Sequence, residues 1–379
     1  MTNSETSGVE LPDMDLLKKF DVPAPRYTSY PTADRFNAEF TAEDYARALA
    51  GRGTAKEPAP LSLYVHVPFC NDVCFYCGCN KIVTRDHSRS AAYIDLIGQE
   101  ADLVKAHLTG SQELEQLHFG GGTPTFLTED ELELMMDTLT KRFPLAKTGG
   151  EFSIEVDPRT CGPSKVKKLR EIGLNRMSLG VQDFNPDVQK AVNRIQPFEM
   201  TKETMDAARA EGFHSINMDL IYGLPKQTRE TFAQTIDQVL ELSPDRIALY
   251  HYAHLPNHFK PQRRILPADL PDTVTKVHIM FDAIKRLTAN GYRYITSPRS
   301  TMSSRVRRSK VRCSATSKAT RPKQNATWSL WASPPSRRSA APMPAIPANS
   351  TIGPPPLKKD GWPRTAAITS TKTMSCAVM

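Results

Sequence analysis

The sequence predicts an α/β fold, a partial (β/α)6 TIM-like barrel, on three observations. Apolar runs of strand length recur six times between Leu61 and His251. Segments of helical period alternate with them. Chemistry-bearing residues fall where the runs end: cysteines after the first, a glycine triplet after the second, and carboxylates in the third and fifth. Six strand–helix units in a row call for a parallel sheet with right-handed crossovers. In such a sheet reactive groups gather at the carboxyl ends of the strands.

Taken in order, residues 1–60 form an N-terminal arm. Met14–Phe20 reads as a short helix. Pro23, Pro25 and Pro31 force an extended path through Arg26–Tyr30. Thr41–Ala50 reads as a helix and Gly51–Pro60 as a linker. The barrel occupies residues 61–295, with strands expected at Leu61–Phe69, Leu114–Phe119, Glu151–Val156, Arg176–Val181, Ser215–Ile221 and Arg246–His251. Ser90–Leu108 puts Tyr93, Ile94, Ile97, Ala101 and Val104 on one helical face. Thr128 and Glu131 make a T-x-x-E capping box opening the next helix, to Phe143. Ser164–Ile172, Lys202–Glu211, Arg229–Leu242 and Pro271–Thr288 continue the alternation.

Composition narrows the function class once it is divided. The chain is formally +8, which alone would suggest an anionic partner. Residues 296–379, however, carry 15 Lys/Arg and one acid, Asp360, so residues 1–295 hold 34 Lys/Arg against 40 Asp/Glu, a net −6. The body is mildly acidic and gives no reason to invoke nucleic acid. No stretch approaches the ~18 apolar residues of a membrane span, and the N-terminus has no basic-then-apolar signal pattern. A cytoplasmic, reducing compartment is expected.

Cys70–Asn80 reads C-N-D-V-C-F-Y-C-G-C-N. Cys70, Cys74 and Cys77 stand at C-x3-C-x2-C spacing directly after the first strand, with Cys79 two residues on. Structural zinc takes four closed ligands, and an iron–sulfur cubane usually takes four cysteines. Three thiolates leave one metal corner open, which marks chemistry. Cys79 could close the set only by straining the loop. A zinc knuckle or unliganded thiols remain the alternatives. A disulfide framework belongs to short secreted chains.

Other strand ends add candidates. Gly120-Gly121-Gly122-Thr123 lets backbone N–H groups approach a ligand. Glu155 and Asp219 are carboxylates inside apolar runs, so each must be paired or used; a structural salt bridge is the alternative reading of Glu155. Strand four ends at Val181-Gln182-Asp183. Strand six ends at Tyr250-His251-Tyr252-Ala253-His254.

The cysteine spacing resembles that of the radical SAM superfamily. SLYVHVPFC, CGCNKIVTRD and the upstream PRYTSYPTA together resemble the oxygen-independent coproporphyrinogen III oxidase family, over about residues 16–295. The resemblance implies a [4Fe–4S] cluster on Cys70, Cys74 and Cys77, with S-adenosyl-L-methionine (SAM) at its open iron. It implies cofactor-binding roles for Tyr64, Tyr76, Gly121, Gly122, Thr123, Glu155, Gln182, Arg194, Asp219 and Ala253, with room for a second SAM. Tyr76 stands where the family often has Phe. No catalytic side chain is assigned, since the radical derives from the cofactor; Cys79 is a candidate. The implied reaction is anaerobic oxidative decarboxylation of two propionates of coproporphyrinogen III to vinyls, giving protoporphyrinogen IX in haem biosynthesis, by a 5′-deoxyadenosyl radical. Arg194 and Arg26 are candidate cations for the tetra-anionic substrate. A one-electron donor such as a flavodoxin or ferredoxin and a monomeric state are expected. A haem chaperone of the same superfamily is the alternative; its relatives lack the equivalents of Cys79 and of the proline-rich arm.

The resemblance stops at Ile295. Where the family continues with a helical domain, residues 296–379 have 11 prolines, all three tryptophans and no usable periodicity. A disordered basic tail is one reading. A shifted reading frame is the preferred one: codons permitted for Ser314–Ser333, read one base earlier, spell LGNFKGYTPEAECDLVALGI, an apolar string resembling the family. The chain as written is therefore expected to be unstable or weakly active.

Overall fold

A computed structural model describes residues 40–51, 60–295, 300–304 and 376–378, together with Asp13 and Asp15. Helix α1 (Ala42–Gly51) precedes the barrel. Six parallel strands follow in sequence order: β1 (Leu61–Val67), β2 (Leu114–Gly121), β3 (Glu151–Val156), β4 (Arg176–Gln182), β5 (Ser215–Tyr222) and β6 (Arg246–His251). Between them run α2 (Ser88–His107), α3 (Glu129–Thr140), α4 (Pro163–Glu171), the short α5 (Pro186–Ala191), α6 (Phe198–Ala210) and α7 (Arg229–Leu242). Helix α8 (Thr273–Ala289) follows β6. The six expected strands are present within two residues of their expected ends. Helix α5, six residues long, had no periodic pattern to announce it.

Alternation along the strands explains why the sheet curls round a polar space. In β3 the buried residues are Phe152, Ile154 and Val156, while Glu151, Ser153 and Glu155 are only partly buried. In β4 Met177, Leu179 and Val181 repeat the pattern. Register aligns the apolar set across the sheet: Val65 lies opposite Phe119, Phe119 opposite Ile154, Ile154 opposite Met177 and Met177 opposite Ile216. This face packs under the helices in one continuous core with Ile94, Ile97, Met135, Leu169 and Ile236. Each such side chain contributes about 1.5–3 kcal/mol on burial. The other face carries Ser153, Glu155, Ser178, Asn217 and Asp219. A closed eight-stranded barrel fills its interior with branched apolar residues; this six-stranded one lines it with polar groups, as a cofactor chamber requires.

The capping box forms as expected: Thr128 Oγ1 accepts from Glu131 N–H at 3.2 Å, and Glu131 Oε2 accepts from Thr128 N–H at 2.8 Å. On α2, Ile94, Ile97, Ala101 and Val104 are buried. Tyr93, half-buried on the same face, donates its hydroxyl to His66 O.

Both edges of the parallel sheet carry antiparallel strands. Strand β8 (Ser300–Ser304) pairs with β6 and with β7 (Tyr292–Ile295), and β9 (Cys376–Val378) pairs with β1. Sequence reading expected no regular structure in the tail. A sheet edge recruits a strand through main-chain hydrogen bonds alone, so its side chains need carry no pattern. The rest of the tail, the expected Met14–Phe20 helix (apart from Asp15), Arg26 and the proline-rich arm lie outside the described residues.

Candidate functional site

The cysteine loop leaves β1 at the carboxyl end of the barrel and is clamped at its root. Phe69–Cys70 pairs with Ile82–Val83. Ile82 N–H donates to Pro68 O at 2.8 Å, and Thr84 N–H to Cys70 O at 2.9 Å. The segment after α5 grips the middle: Phe75 N–H reaches Val192 O at 2.9 Å and Asn193 Nδ2 reaches Val73 O at 2.8 Å. The segment after β6 covers the far side. Gln262, 3% exposed, donates Nε2–H to Tyr76 O at 2.9 Å and accepts from Leu255 N–H. Phe259 lies against Gly78, where an added Cβ would come within 3.0 Å of its ring. Arg264 sits over the Phe75 ring, 5.0 Å from its centroid. Gln262 had no distinguishing sequence context, and it was missed.

All four loop cysteines are free thiols. Cys70 and Cys74 are buried, Cys77 is partly buried and Cys79 is exposed. Burial pushes Cys70 up to about 11. Hydrogen bonding from the Cys79 thiol, the Lys81 charge and the Cys79 N–H bring Cys77 down to about 5 against its own burial. The Cys79 N–H lies 3.4 Å from Cys77 Sγ. Donors also converge on the other sulfurs: Thr123 Oγ1 at 3.4 Å from Cys70 Sγ, and Arg194 Nη1 at 3.7 Å and Arg159 Nη2 at 3.8 Å from Cys74 Sγ.

Asp157, just past β3, organises those two guanidinium groups. Its carboxylate accepts from Arg159 Nη2 at 2.7 Å and from Arg194 Nη1 at 3.0 Å. Burial raises its pKa, but the Arg194 charge and the Arg159 hydrogen bonds outweigh that and hold it at about 2. The folded value lies below the unfolded 3.8, so the pair's stabilisation is complete above about pH 4 and is lost as pH falls through about 2. It amounts to roughly 2 kcal/mol. Acid unfolding of the wild type is expected to include this component, and Asp157→Asn, destabilised at neutral pH, is expected to lack it. Urea midpoints between pH 2 and 6 measure the difference, which should narrow on acidification.

A second cluster of expected residues meets at the ends of β1, β2 and β3. Glu155 accepts from the Gly121 N–H at 3.3 Å and faces His118 Nε2 at 3.3 Å. His118 stacks on Tyr64, and the Tyr64 hydroxyl lies 3.2 Å from His66 Nδ1. The glycine triplet is required by the protein's own packing. A Cβ on Gly122 would lie 2.6 Å from Pro68 O and 2.9 Å from Phe69 O, both backbone atoms of the cysteine-loop root. Gly121 adopts φ +120°, with His66 where a side chain would go. Gly122→Ala is thus expected to cost about 1–3 kcal/mol, the range for overpacking, and to displace the cysteine loop. Gly51→Ala, with nothing within 4 Å, is the control, expected to be neutral or stabilising. Chemical denaturation reads both.

The remaining expected residues line the same end of the barrel. Gln182 holds φ +70° at an irregularity in the β4–β5 pairing. Its neighbour Asp183 enforces this: buried, it accepts from Asn185 N–H at 2.7 Å, Thr235 Oγ1 at 2.8 Å and Gln227 Nε2 at 2.5 Å. Backbone angles of this costly kind, held by their surroundings, cluster at functional sites. Asp219 accepts from Ser178 Oγ at 3.1 Å and Asn217 Nδ2 at 2.9 Å. Ala253 follows β6. Tyr76 lies in the cysteine loop, its hydroxyl pushed above its usual range by burial. Arg194 spends Nη1 on Asp157 and Nη2 on Gly180 O at 2.6 Å, leaving Nε buried without a partner.

Among the described residues no three His, Cys, Asp or Glu side chains converge closely enough to chelate a single ion. Three cysteines on one loop can give a cubane one ligand on each of three irons and leave the fourth open, whereas a structural zinc site closes with four ligands. The orphaned Arg194 Nε and the donors around Cys70 and Cys74 fit an anionic group seated there.

The radical SAM superfamily profile matches residues 64–239. Over those residues this chain is similar to the radical SAM superfamily. It is 50% identical over 284 residues to the oxygen-independent coproporphyrinogen III oxidase of Pseudomonas aeruginosa, covering 75% of this chain and 61% of that protein. The Escherichia coli relative of the same name is 46% identical over 283 residues, with the same shares. The solved structure of Escherichia coli coproporphyrinogen III oxidase, described as a radical SAM enzyme, superimposes with a TM-score of 0.70 at 43% identity. It matches over 77% of this chain and 64% of that one. The chain thus spans about three-fifths of the length of the curated relatives it matches. No helix among the described residues is long and apolar enough to cross a membrane.

Proposed function

We propose that the barrel performs the anaerobic oxidative decarboxylation of two coproporphyrinogen III propionates to vinyls, yielding protoporphyrinogen IX for haem synthesis. The observation that carries this is the three-cysteine loop at the end of β1, in a chain 46–50% identical to relatives bearing the oxidase name. Those names favour the oxidase over the haem chaperone.

Cys70, Cys74 and Cys77 would hold a [4Fe–4S] cluster. When bound, cluster and SAM together supply one-electron reduction and a hydrogen-abstracting radical. The chain's own residues bind and orient. Tyr64, Gly121 and Glu155 are assigned to SAM, and Tyr76, Gly122, Thr123, Gln182, Arg194, Asp219 and Ala253 to a second SAM. Arg194 has one donor, Nε, left for an anion. Arg26 in the arm is the other candidate for the propionates. Cys79, on the outer rim, is a candidate for a role beyond cluster ligation. A flavodoxin- or ferredoxin-like donor, a monomeric state and the cytoplasm complete the reading.

The test is an anaerobic assay of reconstituted protein with coproporphyrinogen III, SAM and a reductant. Consumption of the porphyrinogen with formation of 5′-deoxyadenosine and protoporphyrinogen supports the reading. Haem binding without decarboxylation would favour the chaperone instead.

A further inference from the structure

The Asp157–Arg159–Arg194 cluster does more than tie strand ends together. Asp157 is buried between two guanidinium groups, and both also point a nitrogen at Cys74 Sγ, at 3.8 Å from Arg159 and 3.7 Å from Arg194. Arg159 is pinned by its own neighbour: Nε and Nη2 donate to the Asp157 carboxylate at 3.0 and 2.7 Å, and its backbone N–H donates to the same group at 3.1 Å. One carboxylate against two guanidiniums leaves a net positive charge beside Cys74. At Cys70 the polar neighbour is the Thr123 hydroxyl; Cys77 has a cation of its own in Lys81, which also donates to the Cys77 and Cys79 carbonyls at 3.3 and 3.4 Å, beside the Cys79 N–H.

We propose that Arg159, held by Asp157, is a tuning residue that raises the reduction potential of the cluster through its charge at the Cys74 corner. The inference rests on the cluster reading above. Accepting an electron makes the cluster more negative, and a fixed cation nearby, in a site of low dielectric, favours the reduced form. Hydrogen bonds to a ligand sulfur act in the same direction. Arg159 is the member of the pair that can be altered with Arg194 left in place to neutralise Asp157.

The experiment is a potentiometric titration, followed by electron paramagnetic resonance, of the anaerobically reconstituted full chain without SAM, with iron and sulfide quantified first. Arg159→Gln and Arg159→Met remove the charge, and Gln keeps a hydrogen-bond donor; Arg159→Lys keeps the charge. Gln and Met are expected to favour the oxidised cluster by about tenfold, which is a potential about 59 mV lower for one electron. Lys is expected to stay near the wild type. Equal potentials in all four proteins would overturn the proposal. So would a Gln variant that matches the wild type while Lys matches Met, because the hydrogen bond and not the charge would then matter. Loss of the cluster from both neutral variants but not from Lys would also overturn it, since the charge would then hold the cluster instead of tuning it. A wild-type protein that takes up no iron or sulfide would sink the cluster reading itself, a separate outcome.

Discussion

Cys74→Ser is expected to reduce anaerobically reconstituted protein to background iron and sulfide, while Cys79→Ser retains both. The two cysteines lie five residues apart on one loop, and sequence alone makes each a candidate ligand. Their surroundings separate them. Cys74 is buried, and two guanidinium groups face its sulfur. Cys79 is exposed, and its N–H and thiol serve Cys77. Losing a supporting partner of a metal ligand costs roughly 10–100-fold in affinity, and losing one of three ligands costs more. Serine keeps the shape of cysteine but is a poor iron ligand in a sulfur site, so the Cys74 variant should fold and stay empty. Iron and sulfide assays with the visible absorption of the cluster decide it. Equal iron in wild type and Cys74→Ser would remove the ligand assignment, and zinc bound through all four thiols would replace it. Cys70→Ser and Cys77→Ser should behave as Cys74→Ser does.

The same loop shows what could be read from sequence. Spacing alone placed Cys70, Cys74 and Cys77 on a tight turn, and the apolar run before them placed that turn at a strand's carboxyl end. Both inferences depend only on local pattern. Glu155 and Asp219 were legible because a carboxylate in an apolar run has to be paired, and each is: Glu155 beside His118 and the Gly121 N–H, Asp219 between Ser178 and Asn217. Gln262, Arg159 and Asp183 were not legible as site residues. Each acts across a long stretch of chain, as when Gln262 reaches Tyr76 O, and no periodicity records such a contact. The glycine triplet was half legible. Its position was right, but the steric demand comes from the Pro68 and Phe69 carbonyls and the His66 ring.

If the frame is shifted after Ile295, restoring it is expected to change this protein more than any point substitution. The inner face of the six-stranded barrel is lined by polar groups, of which Ser153, Glu155, Ser178 and Asn217 are only partly buried, and the proposed hydrogen abstraction demands that the reacting centre be shielded from water. The curated relatives extend well beyond the matched segment, whereas this chain continues with 84 residues of which 11 are proline and one is acidic. The sequence of that segment carries no periodic apolar pattern to lay over the chamber. The frame-corrected string from the Ser314–Ser333 region has one, with Phe, Tyr, Leu and Val spaced among polar residues. A misplacement of about 1 Å in a reacting group can cost 10²-fold, and a missing wall permits larger displacements. The frame-corrected chain is therefore expected to turn over coproporphyrinogen at least about 10²-fold faster than the 379-residue chain, and to unfold at a higher temperature. Side-by-side anaerobic turnover and thermal melts measure both. Equal rates and equal melting would show that the tail, as written, serves as well as the frame-corrected one. An unbroken frame across Ile295 in freshly sequenced DNA would show that the tail is the natural sequence.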